Sequence, residues 1–290
     1  MFIYIYLILI TQALNYCKIK TGLIVPCHGI TKFPDNGNYA MVLNNHDEGN
    51  LRDYLRNNHS KLTLKNRITI LRYLCQSLDD IHEKDLIHCD LHSGNMLIQA
   101  GDCFITDFGL CGPVDDESSG KIYGIIPYIA PEILQGGKNT KQSDVYSIGM
   151  LMWEIFVGHP PFDDRVHDSD LIFQIVEGLR PQILPSMPNY YAQMIRKCWD
   201  ADPSKRPTIE ELWDFADDKL KEIYKGKIDS NNNNSNVSND DSSSSNSQPQ
   251  AHKKHPSAYH TSRILDDEIA KSKSLKSIDS LLGDFDINDF

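Results

Sequence analysis

The chain has 290 residues, 40% hydrophobic and 24% charged, enough apolar content for one or two packed domains. Its formal net charge is −11 and no stretch gathers Lys and Arg into a stripe, which excludes a general nucleic-acid-coating surface. Seven cysteines, an odd number without a C-x-x-C pair, argue against a disulfide framework or a zinc site and point to a reducing compartment.

Residues 2–10 (FIYIYLILI) form an uninterrupted apolar run. A transmembrane helix needs about 20 apolar residues, so this run does not span a membrane. A signal peptide would carry a basic stretch ahead of it, and only Met1 precedes it, although Ala13 is a small residue of the kind found at cleavage sites. The β-branched and aromatic content suits a buried strand or short core segment. A packed segment, a start placed inside a longer gene, a signal or anchor, and an interfacial segment all stay open. Residues 34–38 (PDNGN) are a turn with an N-G signal.

Helix formers over residues 50–57 predict a short helix. Leu64, Ile68, Leu71, Cys75, Leu78 and His82 recur at steps of three and four, which predicts an amphipathic helix over 63–83 with Thr63 as its N-cap. Residues 86–98 (LIHCDLHSGNMLI) then read as a loop running into an apolar strand. Within that loop Asp90 and Asn95 stand five residues apart around a glycine. A second strand over 103–106 ends at Asp107-Phe108-Gly109. Asp90, Asn95 and Asp107 at neighbouring strand ends would make an oxygen-rich cradle for Mg²⁺.

Residues 231–250 hold seven Asn and seven Ser, a composition that buries too little apolar surface to offset the entropy of ordering, and read as a disordered linker. Beyond it, residues 263–278 place Ile264, Leu265, Ile269 and Leu275 at irregular spacing, which reads as a solvated tail in preference to a docking motif. The division expected is an apolar segment over 1–22, a folded domain over 23–225 and a low-complexity tail over 226–290.

These residues resemble the eukaryotic protein kinases, within them the tyrosine-kinase-like group. His88-Cys89-Asp90, four residues and Asn95 look like the catalytic loop H-R-D-x-x-x-x-N, Asp107-Phe108-Gly109 is D-F-G, and Ala130-Pro131-Glu132 is A-P-E. Residues 143–157 resemble the central helix of the large lobe, whose Asp, here Asp144, fixes the catalytic-loop backbone. Residues 198–208 (CWDADPSKRPT) match the late C-W-x-x-x-P-x-x-R-P-T segment, whose Arg206 pairs with Glu132 by analogy. Residues 23–30 resemble the fourth strand of the small lobe and residues 39–43 the fifth. Leu43 takes the gatekeeper position, and 44–48 form the hinge, with Asn44, Asn45 and His46 meeting adenine.

The resemblance implies an α+β fold, a large helical lobe under a truncated strand-rich small lobe, and transfer of the ATP γ-phosphate to protein hydroxyls, with Ser or Thr the first choice. Asp90 would take or orient the acceptor proton, Asn95 and Asp107 would hold Mg²⁺, and Leu43, Asn44 and His46 would line the nucleotide site. His88 is expected to pack beneath D-F-G. The expected partner is a protein substrate, with no nucleic acid, membrane or oligomer, in the cytoplasm or, if residues 2–13 act as a leader or anchor, secreted or membrane-bound.

Departures define the alternative. A full small lobe takes about 62 residues by average element lengths, and 42 precede Leu43. They contain no G-x-G-x-x-G, no V-A-I-K and no helix offering the paired Glu, and Lys18, Lys20 and Lys32 lie too near the hinge to be the third-strand lysine. Cys89 replaces the arginine that commonly receives an activation-loop phosphate, and Ser118, Ser119 and Tyr123 are the hydroxyls of that loop. His92 and Ile125 stand where serine/threonine kinases have Lys and Thr. The second reading is therefore a catalytically impaired pseudokinase acting as a scaffold. The Asp163-Asp164 pair reads as a solvated loop rather than a contact for a basic substrate.

Overall fold

The helix expected over 63–83 is the spine of the molecule: Leu64–His82 folds with Thr63 as N-cap, and all six of its periodic positions are buried. Thr63 and Asn66 form a reciprocal capping box that satisfies two end amides. The computed structural model describes residues 2–19, 22–35, 37–113, 122–229 and 254–283, with backbone alone for 2–8 and 276–283. The linker expected over 231–250, and Ser118 and Ser119, lie outside the described residues.

In chain order the elements are α1 (Phe2–Lys18), β1 (Cys27–Lys32), β2 (Tyr39–Leu43), α2 (Leu51–Asn58), α3 (Leu64–His82), β3 (Leu86–Ile87), β4 (Met96–Gln99), β5 (Asp102–Ile105), β6 (Gly112–Pro113), β7 (Tyr123–Gly124), α4 (Pro131–Leu134), α5 (Lys141–Val157), α6 (Ser169–Val176), α7 (Asn189–Cys198), α8 (Ile209–Tyr224), β8 (Arg263–Ile264) and α9 (Asp266–Gly283). Four antiparallel two-stranded pairs are described, β1 with β2, β3 with β6, β4 with β5, and β7 with β8. Helices make up the bulk of the molecule, α3 packing on α8 and α5 on α7. The α+β architecture is as expected.

The core runs through α5, buried on every side from Ser143 to Phe156, as its almost wholly apolar sequence requires. Gly149 is fixed there by packing, since a Cβ would sit 2.7 Å from Cys198 Cβ.

Four expectations are corrected. Residues 2–10 are the first half of helix α1, not a strand; the run continues into Gln12, Ala13 and Leu14, and β-branching is a weak propensity that helix-level packing overrides. The first strand starts at Cys27 rather than 23, because Pro26 has no amide to give a ladder, and the residues before it pair instead with β5: Val25 N–H donates to Ile105 O at 3.2 Å. The stretch from 263 is not irregular, for it carries β8 and α9, with Leu265 and Ile269 buried and α9 packed on α6. Asp163 is 4% exposed and hydrogen-bonded to His159 Nδ1 at 3.1 Å, so the loop around it is not simply solvated. Among the described residues, no helix is long and apolar enough to cross a membrane.

Candidate active site

The catalytic-loop backbone is held from below by one carboxylate. Asp144, 2% exposed near the start of α5, accepts the N–H of His88 at 2.9 Å and of Cys89 at 3.1 Å, and lies 2.9 Å from His82 Nε2. This clamp holds Cys89 at φ +67°, a left-handed conformation that a non-glycine residue adopts only when its surroundings impose it. The chain then turns upward and presents Asp90.

Asp90 and Asn95 meet directly. Asn95 Nδ2 donates to Asp90 O at 3.0 Å and to Asp90 Oδ2 at 3.3 Å, which commits the amide nitrogen and leaves Asn95 Oδ1 as an acceptor. Asp107 joins them through β5: the preceding Thr106 N–H donates to Asn95 O at 3.0 Å, and its carbonyl lies 3.2 Å from His88 Nε2. His88 is fully buried and, as expected, packs on Phe108, with ring centroids 5.4 Å apart. Burial drives its pKa down against the pull of Asp144 and Asp90. It is therefore neutral, with Nδ1 accepting Asp90 N–H at 3.3 Å and Nε2 donating to Thr106.

Burial pushes the Asp90 carboxyl up, but the neighbouring His92 and the Ser262 hydroxyl outweigh it by hydrogen bonding, and the pKa falls below the usual carboxylate range. Asp90 is ionised at neutral pH, the state a proton acceptor needs. The second oxygen of Asp107 and Oδ1 of Asn95 have no hydrogen-bond donor among the described residues. A carboxylate and an amide oxygen suit a hard cation such as Mg²⁺, so the donor chemistry fits the expected metal.

Of the residues expected to form the hinge, His46 and Asp47 lie against the β4–β5 hairpin, which carries Asn95 and Asp107 beyond its ends. Leu43 is half-buried at the end of β2, Asn44 N–H donates to Pro26 O at 3.0 Å, and the His46 ring rests on Phe104 with centroids 4.8 Å apart. Asp90, Asn95 and Asp107 thus lie together beside one hairpin, with His46 packed on it, while Leu43 pairs with Cys27 of β1 and Asn44 bonds to Pro26.

Two sets of contacts were missed by sequence reasoning. From α1, Gln12 Nε2 donates to Asp107 Oδ1 at 2.7 Å, Asn15 Nδ2 to Cys111 O at 3.0 Å, and Tyr16 OH lies 2.9 Å from Thr106 Oγ1 and accepts Asp107 N–H at 3.3 Å. Their spacing of three and four was the available signal: they form one polar helical face after an apolar run. From the other end, Ser262 Oγ lies 2.7 Å from both carboxylate oxygens of Asp90, across 172 positions of sequence. No short-range pattern announces that contact.

The outer frame closes with Arg206, which makes a bidentate pair to Glu132 at 2.7 Å on each arm. That pairing, the Asp144 clamp and the three ordered motifs all lie within residues 8–215, the span matched by wider comparison. The family model described as protein tyrosine and serine/threonine kinase matches residues 8–215. Among similar proteins, a putative serine/threonine-protein kinase/receptor, R831, of Acanthamoeba polyphaga mimivirus is 34% identical over 57% of this chain and 10% of its own length. The probable serine/threonine-protein kinase gdt4 of Dictyostelium discoideum is 31% identical over 74% of this chain and 14% of its own length. The inactive tyrosine-protein kinase kin-32 of Caenorhabditis elegans is 32% identical over 63% of this chain and 22% of its own length. The chain therefore spans between a tenth and a quarter of the length of these relatives. It belongs to the protein tyrosine and serine/threonine kinase family.

Proposed function

We propose that the chain transfers the γ-phosphoryl group of ATP to serine or threonine hydroxyls of protein substrates. The observation that carries this reading is the hydrogen-bonded pair of Asp90 and Asn95, with Asp107 next to the Thr106 amide that bonds to Asn95 O, which puts an ionised carboxylate beside two oxygens open to a cation. Phosphoryl transfer asks a protein for positioning and charge stabilisation more than for covalent work. Mg²⁺, when bound, would neutralise phosphate charge, with Asn95 and Asp107 as its protein ligands. Asp90 would orient the acceptor hydroxyl and receive its proton, and Leu43, Asn44 and His46 would border the adenine. The serine/threonine choice is supported by the names of two relatives and by the serine hydroxyl seated on Asp90.

One observation favours a second reading, an impaired kinase that serves as a scaffold. Asp107 Oδ1 is engaged by the neutral amide of Gln12, and α1 contains no acidic residue to pair with a phosphate-binding lysine. The relative named as inactive is compatible with it.

Asp90→Asn separates the two. If the chain is a kinase, phosphate transfer falls by about 10²- to 10⁴-fold in the variant, the usual worth of a positioned general base, while the thermal shift produced by MgATP persists. Equal and negligible transfer by both proteins, with no thermal shift, leaves the scaffold.

A further inference from the structure

Residues 254–265 run along the large lobe into the mouth of the site, anchored through backbone groups. His255 N–H donates to Asp163 O at 2.7 Å, His167 N–H to Ser257 O at 3.1 Å, and Arg52 Nη1 to His260 O at 2.6 Å. On the far side, β8 pairs with β7 in the register Tyr123↔Ile264 and Gly124↔Arg263, and Leu265 N–H donates to Ile122 O at 2.9 Å. Arg263 Nη2 donates to His167 O at 2.8 Å, and the buried Leu265 and Ile269 seat the start of α9.

Ser262 sits between these anchors, over Asp90. His92 Nδ1 accepts Gly94 N–H at 3.1 Å, which leaves Nε2 as the donor of the ring. That nitrogen donates to Ser262 Oγ at 3.1 Å, so the Ser262 proton points to Asp90, 2.7 Å away. Gly124 leaves the space: at φ +138° a Cβ would stand 3.5 Å from Asp90 Oδ1 and 3.0 Å from Ile129 Cδ1. A segment that merely plugged the groove would need no hydroxyl, and Asn95 already supplies Asp90 with a donor. Here the hydroxyl is the group that touches the carboxylate, in the orientation a nucleophile needs.

We propose that Ser262 is an intramolecular phosphoacceptor, and that the chain phosphorylates its own C-terminal segment in cis. The proposal rests on the kinase reading above. In the step, Ser262 Oγ attacks the γ-phosphorus of ATP and an O–P bond forms. The bond from that phosphorus to the β,γ-bridging oxygen breaks, ADP leaves with the bonding pair, and the hydroxyl proton passes to the Asp90 carboxylate. The product carries about −1.5 to −2 charge beside Asp90, and this repulsion expels the segment and opens the site to other substrates.

The test uses the full chain in four forms: unaltered, Ser262→Ala, Leu265→Asp to unseat the segment, and Asp90→Asn. Mass spectrometry after incubation with MgATP is expected to place one phosphate on Ser262, at a fractional rate unchanged by roughly hundredfold dilution, as for an intramolecular step. Ser262→Ala and Asp90→Asn lose that phosphate. Without nucleotide, hydrogen exchange is expected to show the Leu265 amide protected in the unaltered chain and unprotected in Leu265→Asp; after phosphorylation the unaltered chain loses the same protection. A Ser262 phosphate whose rate scales with concentration overturns the cis assignment. An unmodified Ser262 in a chain that phosphorylates a basic acceptor protein, or that does so after Leu265→Asp, overturns the proposal and leaves the kinase reading standing. No transfer to any acceptor in any form, Leu265→Asp included, ends both.

Discussion

The underside of the catalytic loop and its open side are built on opposite physical terms. Below, Asp144 is almost completely buried and holds two backbone amides and a histidine, and the neighbouring Arg206–Glu132 pair is bidentate. Above, the carboxylates of Asp107 and Asp90 each take one side chain from an opposite end of the chain, Gln12 and Ser262. The underside sets the shape of the loop, and the two ends set what can reach its oxygens. Only the second arrangement can change during a catalytic cycle without unfolding the first.

The sharpest way to break the comparison is Asp144→Ala. Removing the buried acceptor strands the His88 and Cys89 amides and frees a residue held in the left-handed region, a combination expected to cost about 4 kcal/mol. Urea unfolding measures it directly. A loss below about 1 kcal/mol would mean that the loop is not held from below, and the contrast drawn here would fail.

A smaller effect tests the open side through pH. His260 lies in the C-terminal segment; burial first, then the positive charges of Lys254, Arg52 and His167, with Asp163 opposing, push its pKa down to about 4. A released segment would return it to about 6.5. The released state therefore binds more protons between these values, so docking is complete above pH 6.5 and weakens as pH falls towards 4. Allowing for solvent screening, docking is expected to weaken about tenfold between pH 7 and pH 5, and His260→Gln to flatten the dependence. Hydrogen exchange at the Leu265 amide reads the docking. An amide equally protected at both values contradicts the expectation.

What could be read from sequence divides along the same line. Thr63 and its helix, the hairpin carrying Asn95 and Asp107, and the Asp144 and Arg206 contacts follow from short-range spacing or from motifs in a recognised order. The open side depends on contacts that no local pattern encodes. Ser262 reaches Asp90 only because β8 finds β7 and Leu265 finds a buried place, and the Ser- and Asn-rich stretch before it makes the whole tail read as solvated. At the other end, a run of Ile, Tyr and Leu favours a strand by propensity, while α1 is decided by its packing beside β1 and β2 and by the polar face that meets Asp107. Asp163 departs from expectation for a related reason: charge suggests solvent, while its side chain bonds His159 in the same loop and its carbonyl takes the amide of His255 from the distant tail.

The finest cut through the comparison is Tyr16→Phe. The Tyr16 ring packs edge-on against Phe108, with centroids 4.7 Å apart, and the substitution keeps that packing while deleting the hydroxyl. Burial raises the Tyr16 pKa, so the hydroxyl keeps its proton, sharing a hydrogen bond with Thr106 Oγ1 while accepting Asp107 N–H. Its loss leaves a partly buried amide unpaired, at a cost of about 1 kcal/mol. Because Asp107 also sits at φ +63°, that amide is part of what holds its backbone in a disfavoured region. The expected signature is therefore local: exchange at the Asp107 amide quickens about fivefold, while protection at Cys89 and at Leu265 stays as it was, since neither shares a partner with Tyr16. Quickening at Cys89 by the same factor would show that α1 and Asp144 act as one unit, and that the two faces of the loop are not separable.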